Sequence, residues 1–219
     1  MNKKNVTRFL ASLLAFVMIT VNAAELTPAQ KVIEGTSNEI KLVLNRDRDL
    51  LKSDPAYVYQ MVDEILVPRF DLDRISGLVL GRYWKRANDD QKTRFQHEFK
   101  RMLIRTYATA FNELDNWEMK FLASRVNEAG TSAVVRTQIT RNGAPPIDVD
   151  YSMRQRDGDW KVFDVRIEGM SLVTNYRSSF KRLMRTEGMD GLITHLQQTN
   201  NERVVAQTSN PDMQKVAHK

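Results

Sequence analysis

The sequence predicts an α+β fold: a four-stranded antiparallel meander with helices before it and after it. Apolar residues recur at three- and four-residue steps over 27–111 and again from Ser171, whereas over 117–168 they alternate. The first spacing marks helix faces and the second marks strands with one apolar side. Asn142-Gly143 and Asp157-Gly158 are turn signals between the strands, the first lengthened by Pro145-Pro146, so neighbours in sequence become neighbours in the sheet.

Thr27-Pro28-Ala29-Gln30 has the form of a capping box with proline at the first helical position. The helix it starts carries Ile33, Thr36, Ile40, Val43 and Leu44 on one face. Asp54-Pro55 repeats the start signal, and Val58, Met61, Val62, Ile65 and Leu66 continue at helical spacing until Pro68 stops them. A short helix is expected over 71–77, and Leu78-Val79-Leu80 is apolar on every side, as a run that is buried or faces an apolar partner would be. The longest helix begins at Asn88 or Asp89 and reaches about Phe111, with Phe95, Phe99, Met102, Leu103, Thr106, Tyr107, Ala110 and Phe111 in one stripe. Its opposite face carries Lys92, Arg94, Lys100, Arg101 and Arg105. Such a face is a solvated helix surface or a docking site for an acidic partner or an anionic headgroup.

The four strands are expected over 117–122, 132–140, 147–153 and 160–168. Alternation places Ala133, Val135, Thr137 and Ile139 on one side of the second, Ile147, Val149, Tyr151 and Met153 on one side of the third, and Phe163, Val165 and Ile167 on one side of the fourth. Gly169 ends that strand. Ser171 caps a helix with Val173, Tyr176, Phe180, Leu183 and Met184 as its stripe, and a short helix with Leu192, Ile193 and Leu196 follows Gly188. From Thr199 there is no aromatic residue and little that is apolar, so a disordered tail is expected over 199–219.

Lys3, Lys4 and Arg8 precede an almost wholly apolar run over 9–21 and the small-residue site Val21-Asn22-Ala23. These are the parts of a secretory signal over 1–23, cleaved near Ala23, and the run is too short for an ordinary membrane span. The domain then occupies 24–198. The signal takes three of the 33 Lys+Arg and none of the 27 Asp+Glu, which leaves an excess of +3. Such a modest excess, without a concentrated basic patch, argues against a nucleic-acid partner. With no cysteine, the chain has neither a disulfide nor a site for lipoprotein acylation.

Catalytic and metal-binding patterns are weak. His97, His195 and His218 show no ligand spacing. Gly169-Met170-Ser171-Leu172-Val173 follows a nucleophile elbow for three positions and fails at the fifth. Asp148, Asp150, Asp164 and Glu168 fall opposite the apolar residues of their strands, so no strand carboxylate is expected in an apolar pocket, and general acid/base chemistry loses its best candidates.

Leu78-Val-Leu-Gly-Arg-Tyr-Trp-Lys-Arg-Ala87, the helix ending Arg105-Thr-Tyr-Ala-Thr-Ala110, Asp159-Trp-Lys-Val-Phe-Asp-Val165 leading into Ile167-Glu-Gly-Met-Ser171, and Glu187-Gly-Met-Asp-Gly-Leu192 together resemble a known family. It is the periplasmic phospholipid-binding family of the Mla pathway, also called the toluene-tolerance auxiliary family, and the resemblance covers roughly 27–196. It implies an NTF2-like cone with helical elaboration. It implies a soluble periplasmic carrier without catalysis or cofactor, holding a glycerophospholipid as cargo. The implied partners are an outer-membrane lipoprotein-porin complex and an inner-membrane ABC transporter with an MCE-domain protein, and the implied role is maintenance of outer-membrane lipid asymmetry.

Periodicity, not the resemblance, nominates the pocket residues. They are Leu78, Leu80 and Tyr83; Phe99, Leu103, Tyr107 and Phe111; Val135, Val149, Tyr151, Met153, Val165 and Ile167 from the sheet; and Met170, Val173, Tyr176 and Phe180 after it. Each also fits plain core packing. At about 0.8 kcal/mol per methylene, two acyl chains represent some 24 kcal/mol against water, beyond the roughly 18–21 kcal/mol limit of noncovalent affinity. Release into water is therefore not a workable step, and loading and unloading are expected on partner proteins. With no clustered basic motif near the pocket, headgroup selectivity is expected to be weak. The alternative reading is a periplasmic adaptor or chaperone that binds protein through an apolar face.

Overall fold

The computed structural model describes residues 25–112 and 117–208, with 108–112 and 202–208 described by their backbone alone. The expected signal over 1–23 and the end of the expected tail over 209–219 lie outside the described residues.

Helix α1 (Pro28–Arg46) starts at the capping box read from the sequence: Thr27 Oγ1 accepts from Gln30 N at 3.3 Å, and Gln30 Oε1 accepts from Thr27 N at 2.9 Å. Helix α2 (Arg48–Ser53) leads to α3 (Pro55–Met61), which Asp54 caps through Ala56 N at 2.9 Å. The helix then widens into a π-helical turn (Val62–Leu66) and closes in a 3-10 turn at Val67–Arg69, where Pro68 ends the run. Asp71 caps α4 (Leu72–Leu80), which extends past the expected end at 77. Gly81, at φ 57°, makes the sharp passage into α5 (Arg82–Arg86), a conformation that costs glycine little. The long helix α6 spans Asp89–Asn112.

The sheet has the four expected strands and two short additions. They are β1 (Glu118–Phe121), β2 (Arg125–Val126), β3 (Ser132–Arg141), β4 (Ala144–Arg156), β5 (Asp159–Ile167) and β6 (Met170–Ser171). Every ladder is antiparallel, in the order β1-β3-β4-β5-β6, with β2 pairing β3 beside β1. Asp157 and Gly158, both at positive φ, make the primed turn that a two-residue hairpin favours. On the outer face Asp148 meets Gln138, and Asp150 meets Arg136, across the β3–β4 ladder, as alternation predicts.

The register shifts near the end of the β3–β4 ladder, between Ile139 and Arg141, and again inside the β4–β5 ladder. A bulge between Ser152 and Met153 shifts the β4–β5 register, so Met153 faces Val162 while Tyr151 faces Val165. The extra residue brings Trp160 and Val162 onto the same inner face as Val165 and Ile167, where strict alternation had put them on opposite sides.

Helix α7 (Leu172–Thr186) follows, with Ser171 Oγ accepting from Thr174 N at 3.1 Å, and α8 (Gly188–Thr208) completes the described chain. The expectation of a tail from Thr199 is corrected, because α8 continues to Thr208 and Asn200 is 1% exposed. Asn200 Nδ2 donates to the Glu98 carbonyl at 3.0 Å and its carboxylate at 2.7 Å, and Arg105 donates to Asn200 O at 2.6 Å. Polar residues are held here by a buried network, which an apolar-spacing criterion does not detect.

The apolar interior divides into three clusters. Ala29 and Ile33 of α1 pack on Ala133, Val135, Met153, Trp160 and Val162 of the sheet. Phe95 and Phe99 of α6 pack with residues of α4, α7 and α8. Leu44, Leu51, Val58, Met61, Val62 and Ile104 form the third cluster, among α1–α3, the π-helical turn and α6.

Candidate functional site

Between these three clusters lies a cavity of about 220 Å³. Its floor is one stripe of α6: Gln96, Phe99, Lys100, Leu103, Ile104 and Tyr107. Steps of three and four residues keep these side chains on one face, and at about 1.5 Å per residue the stripe is roughly 16 Å long. Helix α4 supplies Leu72, Ile75, Ser76 and Val79; the turns before it supply Val62, Leu66, Val67 and Phe70. Helix α7 supplies Leu172, Val173 and Tyr176.

The remaining wall is Phe163, Asp164 and Val165 of β5, three consecutive residues and therefore a strand edge rather than a sheet face. Phe70 bridges Val162, with Asp71 N donating to Val162 O at 2.9 Å, and β6 pairs at Arg166 and Ile167. Residues 163–165 fall between these two pairings, and the cavity opens against that gap.

Ring packing fixes the floor. Phe99 meets Tyr176 edge-on at 5.2 Å and stacks with Phe95 at 5.3 Å, so two of the lining rings are backed by core rings. Burial, with the hydrogen-bonded Tyr107 phenol as the next cause, pushes the Tyr176 phenol well above its ordinary pKa, so this wall stays neutral. Polar lining is sparse: Ser76 is 1% exposed, Gln96 Nε2 donates to Asp73 at 2.9 Å, and Lys100 Nζ pairs with Asp63 at 2.7 Å.

Asp164 corrects the expectation that no strand carboxylate reaches the cavity, since the bulged β5 edge, not one face, forms the wall. Its oxygens accept from Ser171 Oγ at 2.7 Å and Val173 N at 3.2 Å, which engages the carboxylate at the start of α7. A deeper polar device lies beside the cavity. The Asp71 side chain, with no exposed surface, accepts from Arg74 N at 3.1 Å, Arg154 Nε at 2.7 Å and Arg156 at 2.7 Å. Burial alone would raise its pKa, but the Arg74 amide and the two guanidinium groups outweigh it and hold the carboxyl below its usual range.

Of the residues nominated by periodicity, the structure brings Phe99, Leu103, Tyr107, Val165, Val173 and Tyr176 together around the cavity. The others go elsewhere. Leu80 and Phe180 are buried in the helical cluster, and Tyr83 packs against it. Val135 and Met153 are buried against α1, with Tyr151 beside them, its phenol pushed up to about 12 by burial. Val149 is buried beneath Thr137, whose hydroxyl donates to Val149 O at 2.9 Å, and Ile167 pairs across from it. Leu78 is half-buried off the cavity, Met170 is 62% exposed, and the side chain of Phe111 lies outside the described residues. The sheet's inner face is thus used as core against α1, and only its β5 edge meets the cavity.

Sequence reasoning missed the π-helical turn as a wall, and on α4 it nominated Leu78 and Leu80 where Leu72, Ile75, Ser76 and Val79 line the cavity. Val62, Leu66, Ile75 and Val79 stand at helical spacing, but spacing does not separate a core contact from a cavity contact. A second hollow of about 570 Å³, between α7 and α8, mixes Met102, Phe180, Leu183 and Leu196 with Arg182, Glu187, His195 and Gln198. Its walls are far less uniformly apolar than those of the first cavity. No cluster of three potential metal ligands occurs among the described residues, and none of their helices is long and apolar enough to cross a membrane.

Comparison with known proteins gives the geometry a setting. The chain is 31% identical over 182 residues to the toluene tolerance protein ttg2D of Pseudomonas putida, covering 83% of each chain. It is 24% identical over 196 residues to the intermembrane phospholipid transport system binding protein MlaC of Haemophilus influenzae, covering 88% of this chain and 91% of that one. Its fold matches the phospholipid-binding protein of Ralstonia solanacearum, solved in complex with a phospholipid, with a TM-score of 0.75 and 30% identity over 80% of this chain and 98% of that one. The MlaC protein family model matches residues 34–198, the span that holds every wall of the cavity, and the chain belongs to that family.

Proposed function

We propose that this chain is an exported periplasmic carrier that shields the acyl chains of a glycerophospholipid in this cavity. The observation that carries the reading is the cavity itself: an apolar space, walled by Phe99, Leu103, Tyr107, Val165, Val173 and Tyr176 among others, inside a fold like that of a protein solved with a phospholipid. The carrier shuttles its cargo between an outer-membrane lipoprotein-porin complex and an inner-membrane ABC transporter bearing an MCE-domain protein, and so maintains outer-membrane lipid asymmetry. It binds and releases without catalysis, and the phospholipid is cargo rather than cofactor.

At about 220 Å³ the cavity lies below the roughly 300–1,000 Å³ of sites for drug-sized ligands, and a phospholipid is larger still. Loading therefore requires the walls to part. Two wall segments depart from regular structure: the π-helical turn, and residues 163–165, whose cavity-side edge falls between the pairings at Val162 and Arg166 while β4 holds the other edge.

Transfer from donor vesicles tests the shuttle. Fluorescent phospholipid is expected to reach proteoliposomes carrying the inner-membrane transporter at least tenfold faster with the carrier than without it. Bare acceptor vesicles should show little of this acceleration, because release into water is blocked by the hydrophobic cost of the chains. Equal rates with and without the chain would contradict the reading.

A further inference from the structure

The basic face of α6 resolves into two kinds of residue. Lys92 pairs with Asp89, Arg94 with Asp90 and Asp190, and Arg101 with Glu98, while Arg105 donates to Asn200 O. Those four tie α6 to itself or to α8. Of the five cations on that face, Lys100 is the one that lines the cavity.

Its position is that of a boundary group. The Lys100 stem lies along the apolar floor between Gln96 and Leu103, and its side chain is 24% exposed, so the ammonium stands where apolar wall gives way to solvent. Its partner, Asp63, belongs to the π-helical turn that supplies Val62 and Leu66 to the neighbouring wall, and is 49% exposed. The pair therefore ties these two walls together at the rim. An exposed carboxylate is readily rehydrated, so another anion of equal reach can take its place.

We propose that Lys100 is the phosphate contact of the cargo, with Asp63 holding its ammonium at the rim until the phosphodiester replaces the carboxylate. This rests on the carrier reading and deepens it. An ammonium is a point charge with rotatable donors and does not read shape as a planar guanidinium does. It recognises the one charged group that all glycerophospholipids share and is indifferent to what lies beyond it. The result is selection of phospholipids over uncharged lipids, together with weak discrimination among headgroups.

The test uses the chain without its signal as wild type, Lys100→Met and Asp63→Asn, with thermal melts to verify folding. Phosphatidylglycerol, phosphatidylethanolamine and diacylglycerol with identical acyl chains are offered in mixed vesicles, and bound lipid is counted by mass spectrometry. Wild type is expected to prefer both phospholipids over diacylglycerol about tenfold, the scale of one charge-assisted hydrogen bond. In Lys100→Met the ratio should fall to about one, and in Asp63→Asn it should equal or exceed wild type. Excess inorganic phosphate should not change phospholipid occupancy. A folded Lys100→Met that keeps the wild-type ratio would overturn the assignment, as would displacement of lipid by inorganic phosphate, which would mark a free-anion site. Wild type that takes up all three lipids equally overturns the lysine contact and leaves the carrier standing; wild type that takes up none defeats the carrier reading and the contact with it.

Discussion

Leu103→Asp is expected to lower the phospholipid recovered with detergent-free protein at least tenfold. Leu103 stands midway along the α6 stripe, one turn from both Phe99 and Tyr107, and is only partly buried by protein. A carboxylate there remains hydrated while the cavity is open. Once acyl chains fill the space, it must either lose that water without a partner or take up a proton, and burial of an unpaired charge costs several kcal/mol. The penalty falls on the loaded state more than on the fold, so lipid content should collapse while the far-ultraviolet circular dichroism stays close to wild type. Val165→Trp is the uncharged counterpart: it fills a 220 Å³ cavity from the β5 side and should also expel lipid. Met170→Asp is the control, since Met170 is exposed away from the cavity, and its lipid content should be unchanged. Folded Leu103→Asp and Val165→Trp proteins with wild-type lipid would contradict the placement of the cargo.

Asp71→Ala is expected to cost about 3 kcal/mol of stability. Truncating one member of a buried ion pair costs roughly 3–5 kcal/mol because the partner charge is left behind. Here Arg154 and Arg156 are 32% and 40% exposed and can regain water, which lowers that figure. Loss of the α4 N-cap adds about 1 kcal/mol. In a domain of this size each kcal/mol moves Tm by about 2–4 °C, so the melt should fall by about 6–12 °C. The pH dependence has a definite sign. A carboxyl held below its ordinary pKa in the folded state contributes stability above the unfolded value, near 3.9, and loses it as pH falls through the folded value. Wild type should therefore lose more stability than Asp71→Asn on acidification below about pH 4, and the two melting curves should converge there. A gap of the same size at pH 3 and pH 7 would show that the charge is not what stabilises this site.

The parts of the fold that were legible in the sequence are those fixed by local chemistry. The capping box at Thr27, the stops at Pro68 and Gly169, the Ser171 cap and the Asp157-Gly158 turn each depend on a few adjacent residues, and each is present. The α6 stripe was legible because a long helix repeats its signal. What escaped depends on packing at a distance. Nothing in the 152–153 sequence announces a bulge, yet it rotates half of β5 and turns Trp160 and Val162 inward. Val135 and Met153 have the alternation of a pocket wall and serve as core, because α1 lies across that face of the sheet. The π-helical turn leaves no trace in apolar spacing, since its extra residue per turn is a departure from the 3.6-residue repeat that the eye follows. The later turns of α8 read as tail because Asn200 and its neighbours are polar, and their partner, Glu98, is 102 residues away.

The central claim is that the space between the three apolar clusters holds a phospholipid. Protein exported to the periplasm and purified without detergent, weighed by native and then by denaturing mass spectrometry, tests it most directly. The native mass should exceed the denatured mass by a whole number of glycerophospholipid molecules, recoverable by solvent extraction. Identical masses in both spectra, persisting after incubation with liposomes, would contradict the claim and point to an apolar surface that binds protein.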